Sequence, residues 1–286
     1  MNFTDRRRRL RKQFAATTCV QPASVFDPIS GRIADSLGFE LGMLGGSVAS
    51  AVILGAPDLA VMTLSELAEQ VRRITRASDV SLIVDADHGY GNALSVIRTV
   101  QELEAAGVSG LTIEDTFLPA AFGSKGQETL ISVDELLAKL RSAVAARQDP
   151  ETVIIGRTGV LRSGGISGMV ERVRAMAGAR VDAIFVLGVK TLEELEALGE
   201  AATLPVMVGN TPAELTTEML SSNGVRIALR GHLTLQAMVK GIHDVLTHQA
   251  TGQDPAEISG LLAKGDLMNV ATGTDDYKRW EQAFLA

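Results

Sequence analysis

Eight times along the chain, a short apolar run rich in β-branched residues is followed by an amphipathic stretch. The runs are Thr18–Val25, Glu40–Gly45, Ser81–Ala86, Gly110–Glu114, Thr152–Arg157, Asp182–Leu187, Leu204–Val208 and Gly224–Leu229. Near-continuous apolarity, as in Leu82-Ile83-Val84 and Ile184-Phe185-Val186, suits strands buried on both faces, hence parallel strands covered by helices. Helical periodicity falls between them at Ile29–Leu37, Leu64–Arg76, Ala93–Ala106, Val133–Ala146, Ser167–Ala177, Leu192–Leu198, Pro212–Leu220 and Leu233–Leu246. Gly38, Gly107, Gly178 and Gly224 stand where a left-handed residue would close a helix before the next strand. Ser132 with Glu135, and Thr191 with Glu194, have capping-box spacing. Eight β-then-α units predict an α/β fold, a (β/α)8 TIM-type barrel with its site at the C-terminal strand ends. A doubly wound open sheet would carry a glycine-rich dinucleotide fingerprint after its first strand, and none is present. The 286 residues then divide into a barrel with an N-terminal helix over 1–250 and a helical tail over 251–286. The tail holds the only Trp, Trp280, with Phe284, and is expected to pack on something, a neighbouring subunit being one candidate.

Charge excludes some partners. Arg6, Arg7, Arg8, Arg9, Arg11 and Lys12 crowd six positive charges into seven residues. Without them 21 basic face 34 acidic residues, a net of −13, which argues against nucleic-acid binding. The basic segment reads as the solvated face of a first helix, with a docking arm as the alternative, and it lacks the apolar core of a signal peptide. No apolar run reaches the ~18 residues that cross a membrane. The single cysteine, Cys19, excludes a disulfide framework and a Cys-based zinc site. A soluble cytoplasmic protein is expected.

The strand ends carry the reactive side chains. After the third strand comes Asp85-Ala-Asp87-His88-Gly-Tyr-Gly-Asn92, and alternation puts Asp85 and Asp87 on one side. Glu114-Asp115 follows the fourth strand, and Asp58 lies in the loop after the second. Four carboxylates at one barrel mouth repel unless a cation sits among them, and oxygen-only ligands favour Mg²⁺, or Mn²⁺ in its place, over Zn²⁺. Gly45-Gly46-Ser47 offers N–H groups and a hydroxyl to a carboxylate, though an ordinary glycine turn reads equally well. Arg157 ends the fifth strand, as a fork for an anionic substrate or as one half of a structural ion pair. His232 follows the eighth, in the site or simply at a helix start, whereas His243 and His248 read as surface residues.

Ser24-Val-Phe-Asp-Pro-Ile-Ser, Leu44-Gly-Gly-Ser-Val-Ala-Ser50, Asp85-Ala-Asp-His-Gly-Tyr-Gly-Asn92 and Ile113-Glu-Asp115 resemble the phosphoenolpyruvate mutase/isocitrate lyase superfamily over about residues 20 to 245. Gly-Gly-Ser, Asp-His-Gly-Tyr-Gly-Asn and Gly231-His232 look most like its bacterial oxaloacetate decarboxylase branch. The resemblance implies a Mg²⁺-dependent barrel, a homotetramer that swaps C-terminal helices between subunits. It places the metal on Asp85, with Asp58, Asp87 and Glu114 supporting its waters. Gly45, Gly46, Ser47, Arg157 and His232 would contact a small 2-oxo dicarboxylic acid. Lyases of the family carry a Cys in the loop after the fourth strand, where this chain reads Pro119-Ala-Ala-Phe-Gly-Ser124, with Phe122 at the Cys position. The lysines and asparagine of the mutases are replaced by Thr116, Ala120 and Phe122. What remains is decarboxylation of oxaloacetate to pyruvate and CO₂ through a metal-stabilised enolate, which needs no nucleophile. The alternatives are a carbon–carbon lyase for a substituted malate and a non-catalytic dicarboxylate-binding barrel. One departure bears on them: Gly159 stands where the family pattern has Asn, Asp or Glu, before a glycine-rich stretch over 161–168.

Overall fold

The computed structural model describes residues 2–124 and 128–285. Eight parallel strands hydrogen-bond in chain order: β1 (Ala23–Ser24), β2 (Leu41–Leu44), β3 (Ser81–Asp85), β4 (Gly110–Glu114), β5 (Val153–Thr158), β6 (Ala183–Leu187), β7 (Val206–Gly209) and β8 (Val225–Leu229). Val20 donates its N–H to the Arg226 carbonyl and accepts from the Ala228 N–H, so the first and last edges of the curled sheet meet. This is the arrangement of a TIM-type barrel.

Alternation along the strands builds two cores. Met43, Ile83, Ile155, Phe185, Met207 and Ile227 point inward and fill the barrel. Leu44, Leu82, Val84, Leu111, Ile113, Ile154 and Ile184 point outward against helices, which is why the strands are apolar on both faces. The helices α1 (Phe3–Ala15), α2 (Pro28–Ser36), α3 (Gly46–Leu54), α4 (Leu64–Ala77), α5 (Ala93–Ala105), α6 (Val133–Ala146), α7 (Leu161–Ala177), α8 (Leu192–Ala201), α9 (Thr217–Ser222) and α10 (Leu233–Ala250) precede or follow the strands. A 3-10 helix (Pro255–Leu261), α11 (Gly265–Thr272) and α12 (Thr274–Phe284) complete the chain.

Several expectations are corrected. The basic segment is a solvated face only in part: Arg8 and Lys12 are exposed, whereas Arg6 and Arg7 are buried. α1 lies across the N-terminal end of the barrel, where Leu10 and Phe14 join the inner core and Arg6 and Arg7 are only 3% and 6% exposed. Arg6 donates to the Thr75 carbonyl and Asp79; Arg7 donates to the Val108 and Glu104 carbonyls and to Asp149. The helix-to-strand loops present carbonyls and acids there, and the several fixed donors of a guanidinium satisfy them at once. β1 is shorter than Thr18–Val25 because Pro22 has no N–H to give the ladder. α7 starts at Leu161 and kinks at Gly165 (φ 57°, ψ −161°), whereas Ser167 was the expected start. α9 starts at Thr217, capped by Thr216, well past Pro212. Gly38, Gly107 and Gly224 are left-handed as expected, but Gly178 is right-handed. His248 is buried, with its Nε2 2.6 Å from the Asp254 carbonyl; His243 is exposed. Trp280 and Phe284 are exposed in the single chain, and the Trp280 ring meets Tyr277 edge-on.

Candidate active site

The C-terminal strand ends bring Asp85 (β3), Glu114 (β4) and Arg157 (β5) together. Arg157 Nη1 donates to Asp85 Oδ2, and Nη2 lies 3.0 Å from Glu114 Oε2. Its guanidinium sits 5.6 Å above the Phe185 ring centroid, and its Nε is buried with no partner. Arg157 thus makes an ion pair with both carboxylates at the strand ends. Asp85 also accepts from Thr112 Oγ1 (2.9 Å), the Asp87 N–H (3.2 Å) and the Gly46 N–H (3.4 Å). Burial opposes its ionisation, but the Arg157 charge and these hydrogen bonds prevail and hold it below the ordinary carboxylate range.

Asp87 reaches the cluster by another route than alternation. β3 ends at Asp85, and a left-handed Asp87 (φ 47°) turns its carboxylate toward Gly46. Burial, then the charges of Asp85, Glu114 and Asp58, push Asp87 up to about 8. Burial likewise pushes Glu114 up to about 7 against the pull of Arg157. Asp58 stands at the rim, raised by burial and by Asp85. Among the described residues, no three His, Cys, Asp or Glu side chains form a group able to hold a metal ion directly. The cluster instead offers one central carboxylate, Asp85, with others around it.

Gly45-Gly46-Ser47 is not a turn. Gly46 opens α3, so Ser47 lies in the first helical turn, where free N–H groups face the site. Space demands the two glycines: a Cβ at Gly45 would come within 2.7 Å of His232 Nε2, and one at Gly46 within 2.5 Å of Asp87 Oδ1. His232 caps α10 in backbone terms, and its ring also enters the site, with Nδ1 3.0 Å from Ser24 Oγ. Burial lowers its basicity. Ser47, Asp58, Asp85, Arg157 and His232 share a cavity of about 160 Å³ with Phe185 and Asn210.

Sequence reasoning missed Ser24, Thr112, Phe185 and Asn210. Thr112 and Phe185 are the inward positions before Glu114 and Leu187, so the alternation already applied to Asp85 would have found them. Asn210 follows β7 in a left-handed conformation (φ 56°) and is a polar residue at a strand end like the others. Ser24 is legible only through its contact with His232. Cys19 is buried beside Arg226 and Arg230, outside this cavity, and Phe122 is wholly exposed. The loop Phe117–Glu128 includes residues 125–127, which lie outside the described residues.

Residues 10–249 match the family model described as phosphoenolpyruvate phosphomutase. The chain belongs to that family. An oxaloacetate decarboxylase of Rhodopseudomonas palustris (strain BisA53) is 51% identical over 275 residues, 96% of this chain and 94% of that one. Among solved structures, a phosphoenolpyruvate phosphomutase from Streptomyces platensis subsp. rosaceus superposes with a TM-score of 0.89 at 27% identity, covering 98% of this chain and 99% of that one. A phosphonopyruvate hydrolase solved with oxalate and Mg²⁺ superposes with a TM-score of 0.88 at 25% identity, with the same coverage.

Proposed function

We propose that the protein is a Mg²⁺-dependent oxaloacetate decarboxylase, a carboxy-lyase that releases pyruvate and CO₂. The observation that carries the reading is a carboxylate-rich cavity holding an arginine and a histidine and no thiol. The relatives named oxaloacetate decarboxylase support it.

The donor set fits a hard divalent ion. Four carboxylates face one arginine, and without a further cation Asp87 and Glu114 are driven toward protonation. Asp85 would hold the ion directly, and Asp58, Asp87 and Glu114 would hydrogen-bond its waters. When bound, the ion would supply an electron sink at the 2-oxo group for loss of the C4 carboxylate as CO₂. The N–H groups at the start of α3 and the Ser47 hydroxyl would take the C1 carboxylate. Arg157, fixed by Asp85 and Glu114, would present its guanidinium charge to the anionic substrate. With Ser24 as donor to Nδ1, the His232 Nε2–H beside Gly45 would donate a hydrogen bond to the 2-oxo acid. Pure protein with oxaloacetate and Mg²⁺ should give pyruvate above the metal-only rate and lose that excess in Asp85→Ala. No excess over free Mg²⁺ sinks the reading; release of a 2-oxo acid from a substituted malate favours the lyase alternative.

The same reading includes a homotetramer in the cytoplasm, with a barrel over 1–250 and a tail over 251–286 exchanged between subunits. α10 buries only His248 in its own chain and exposes Leu233, Val239, Ile242 and Leu246. Beside it a groove of about 700 Å³, lined by Phe26, Ile33, Leu37, Phe39 and Met238 among others, runs between α2 and α10. Apolar surface of that extent supports an exchanged helix as its cover. No helix of the described residues is long and apolar enough to cross a membrane. Light scattering that reports a monomer would remove the tetramer from the proposal.

A further inference from the structure

We infer that Lys139 is a positioning residue: from α6 its ammonium latches the His88 carbonyl and so fixes the turn that carries the Asp87 carboxylate into the site. That role presupposes the reading above, in which Asp87 holds the waters of a divalent ion.

The turn after β3 has to be held. Asp87 (φ 47°) and Tyr90 (φ 60°) are left-handed without being glycines, and Gly89 (φ 77°) and Gly91 (φ 146°) lie beside them. A Cβ opposes that conformation, so such residues persist only where their surroundings over-determine them. Here three successive carbonyls are taken by donors from three different elements. Asp87 accepts the Glu114 N–H of β4 at 2.8 Å, His88 accepts Lys139 Nζ of α6 at 3.1 Å, and Gly89 accepts Thr99 Oγ1 of α5 at 3.0 Å. Within the turn, the Gly89 N–H returns to the Ala86 carbonyl at 2.9 Å. The Asp87 side chain leaves this anchored backbone toward Gly46, where a Cβ would meet its Oδ1 at 2.5 Å.

Lys139 is the unusual member of the three. It is only 3% exposed, and an ammonium is costly to bury unless it is paired. Its neighbours on the buried face of α6, Leu136, Leu140 and Ala143, are apolar, so packing alone would be served by another apolar side chain. A lysine stands there instead, and its partner is the backbone of this one turn. Glu135 and Glu114 favour its charge against the burial. A cation behind the acidic cluster also repels an incoming cation. Positioning and charge therefore predict opposite changes in metal affinity when the ammonium is removed.

Lys139→Met keeps the stem and removes the donor and the charge. Mn²⁺ affinity of the full chain, read by calorimetry or spin resonance, should fall about tenfold, the scale for losing a group that orients a metal's ligands. In an Asp87→Asn background the same substitution should change affinity less than about twofold, because the group it positions is gone. Thr99→Val frees the next carbonyl without altering charge. It should weaken Mn²⁺ in the same direction by a smaller factor, and it serves where Lys139→Met does not fold. At saturating Mg²⁺, Lys139→Met should keep the parent KM for oxaloacetate, while the Mg²⁺ concentration for half-maximal turnover rises by the same factor as the Mn²⁺ dissociation constant. Tighter Mn²⁺ binding would reduce Lys139 to a charge, and equal losses with and without the Asp87 carboxylate would reduce it to packing. Either result overturns the latch, as does unchanged affinity in Lys139→Met, or in Thr99→Val where the first variant does not fold. If no oxaloacetate is turned over, decarboxylation fails as the function, and the Mn²⁺ affinities still decide the latch.

Discussion

The two ends of the barrel carry charge in opposite fashions. At the N-terminal end, guanidinium groups meet an equal supply of partners: Arg6 and Arg9 share Asp79, Arg7 pairs with Asp149, and Arg11 pairs with Glu151 and Asp182. Carbonyls of the loops take the remaining donors. At the C-terminal end Arg172 pairs with Asp115 and Arg162 with Glu128, but Arg157 alone serves both Asp85 and Glu114, with Asp87 and Asp58 as further carboxyl groups beside them. Balanced charge closes a barrel and asks for nothing more. Unbalanced charge, buried beside the unpartnered Nε of Arg157, is costly in isolation and is kept for something that binds.

Removing one arginine from each end should therefore give different failures. Arg157→Met strands Asp85 and Glu114 without a counter-ion. Oxaloacetate turnover should fall about 10²–10³-fold, the scale for loss of an oriented charge donor. Stability without metal should fall by about 3–5 kcal/mol, as when one partner of a buried ion pair is removed. Added Mg²⁺ should recover part of that stability, since a ligand of the native state stabilises by mass action. Denaturant melts with and without Mg²⁺ check the asymmetry, and equal metal responses in variant and parent would break it. Arg7→Ala should cost a similar amount, about 3 kcal/mol, because Asp149 and the Glu104 and Val108 carbonyls lose their donor. Its turnover per folded molecule should match the parent, and its stability deficit should not respond to Mg²⁺.

Asp87→Asn sharpens the same contrast in the other direction. It keeps the shape and removes a carboxyl group whose ionisation burial and three neighbouring carboxylates disfavour. The metal-free protein should gain roughly 1 kcal/mol, in line with functional sites held below their stability optimum. Affinity for Mn²⁺, titrated by spin resonance or calorimetry, should fall at the same time. A variant destabilised without metal would show that Asp87 is a structural partner and no part of the unbalanced set.

The sequence made the top of the barrel more legible than the bottom, for a physical reason. Strand ends follow a period of two, so Asp85, Glu114 and Arg157 could be placed from spacing alone. Asp87 was assigned to the right cluster through the wrong geometry, since a left-handed residue breaks the alternation that named it. Gly45 and Gly46 were identified by the N–H groups they offer a carboxylate, but their place is set by the His232 and Asp87 side chains that fill the space of a Cβ. At the bottom, a run of arginines looks the same whether solvated or paired. The partners Asp79, Asp149, Glu151 and Asp182 lie 70 to 171 residues away in the chain, and nothing local announces them. His248 was hidden likewise, because its partner is a backbone carbonyl in the tail.

The smallest effect expected is at Cys19, and it separates chemistry from packing. The thiol is 7% exposed beside the start of β1, and burial pushes it up to about 11, with Arg226 and Arg230 working against the shift. At pH 8 the native thiolate fraction is then about one in a thousand, against roughly a quarter for an ordinary thiol. Iodoacetamide should label the folded protein slowly and the denatured protein fast, and raising the pH should speed native labelling because the thiolate grows through that raised value. Cys19→Ser should cost at most about 1 kcal/mol, the price of a slightly more polar atom in a nearly closed pocket, and leave turnover within twofold. A large loss of turnover in Cys19→Ser would return a thiol to the reaction. It would also reopen the carbon–carbon lyase reading, which the exposed Phe122 in the loop after β4 otherwise leaves without an acid–base group.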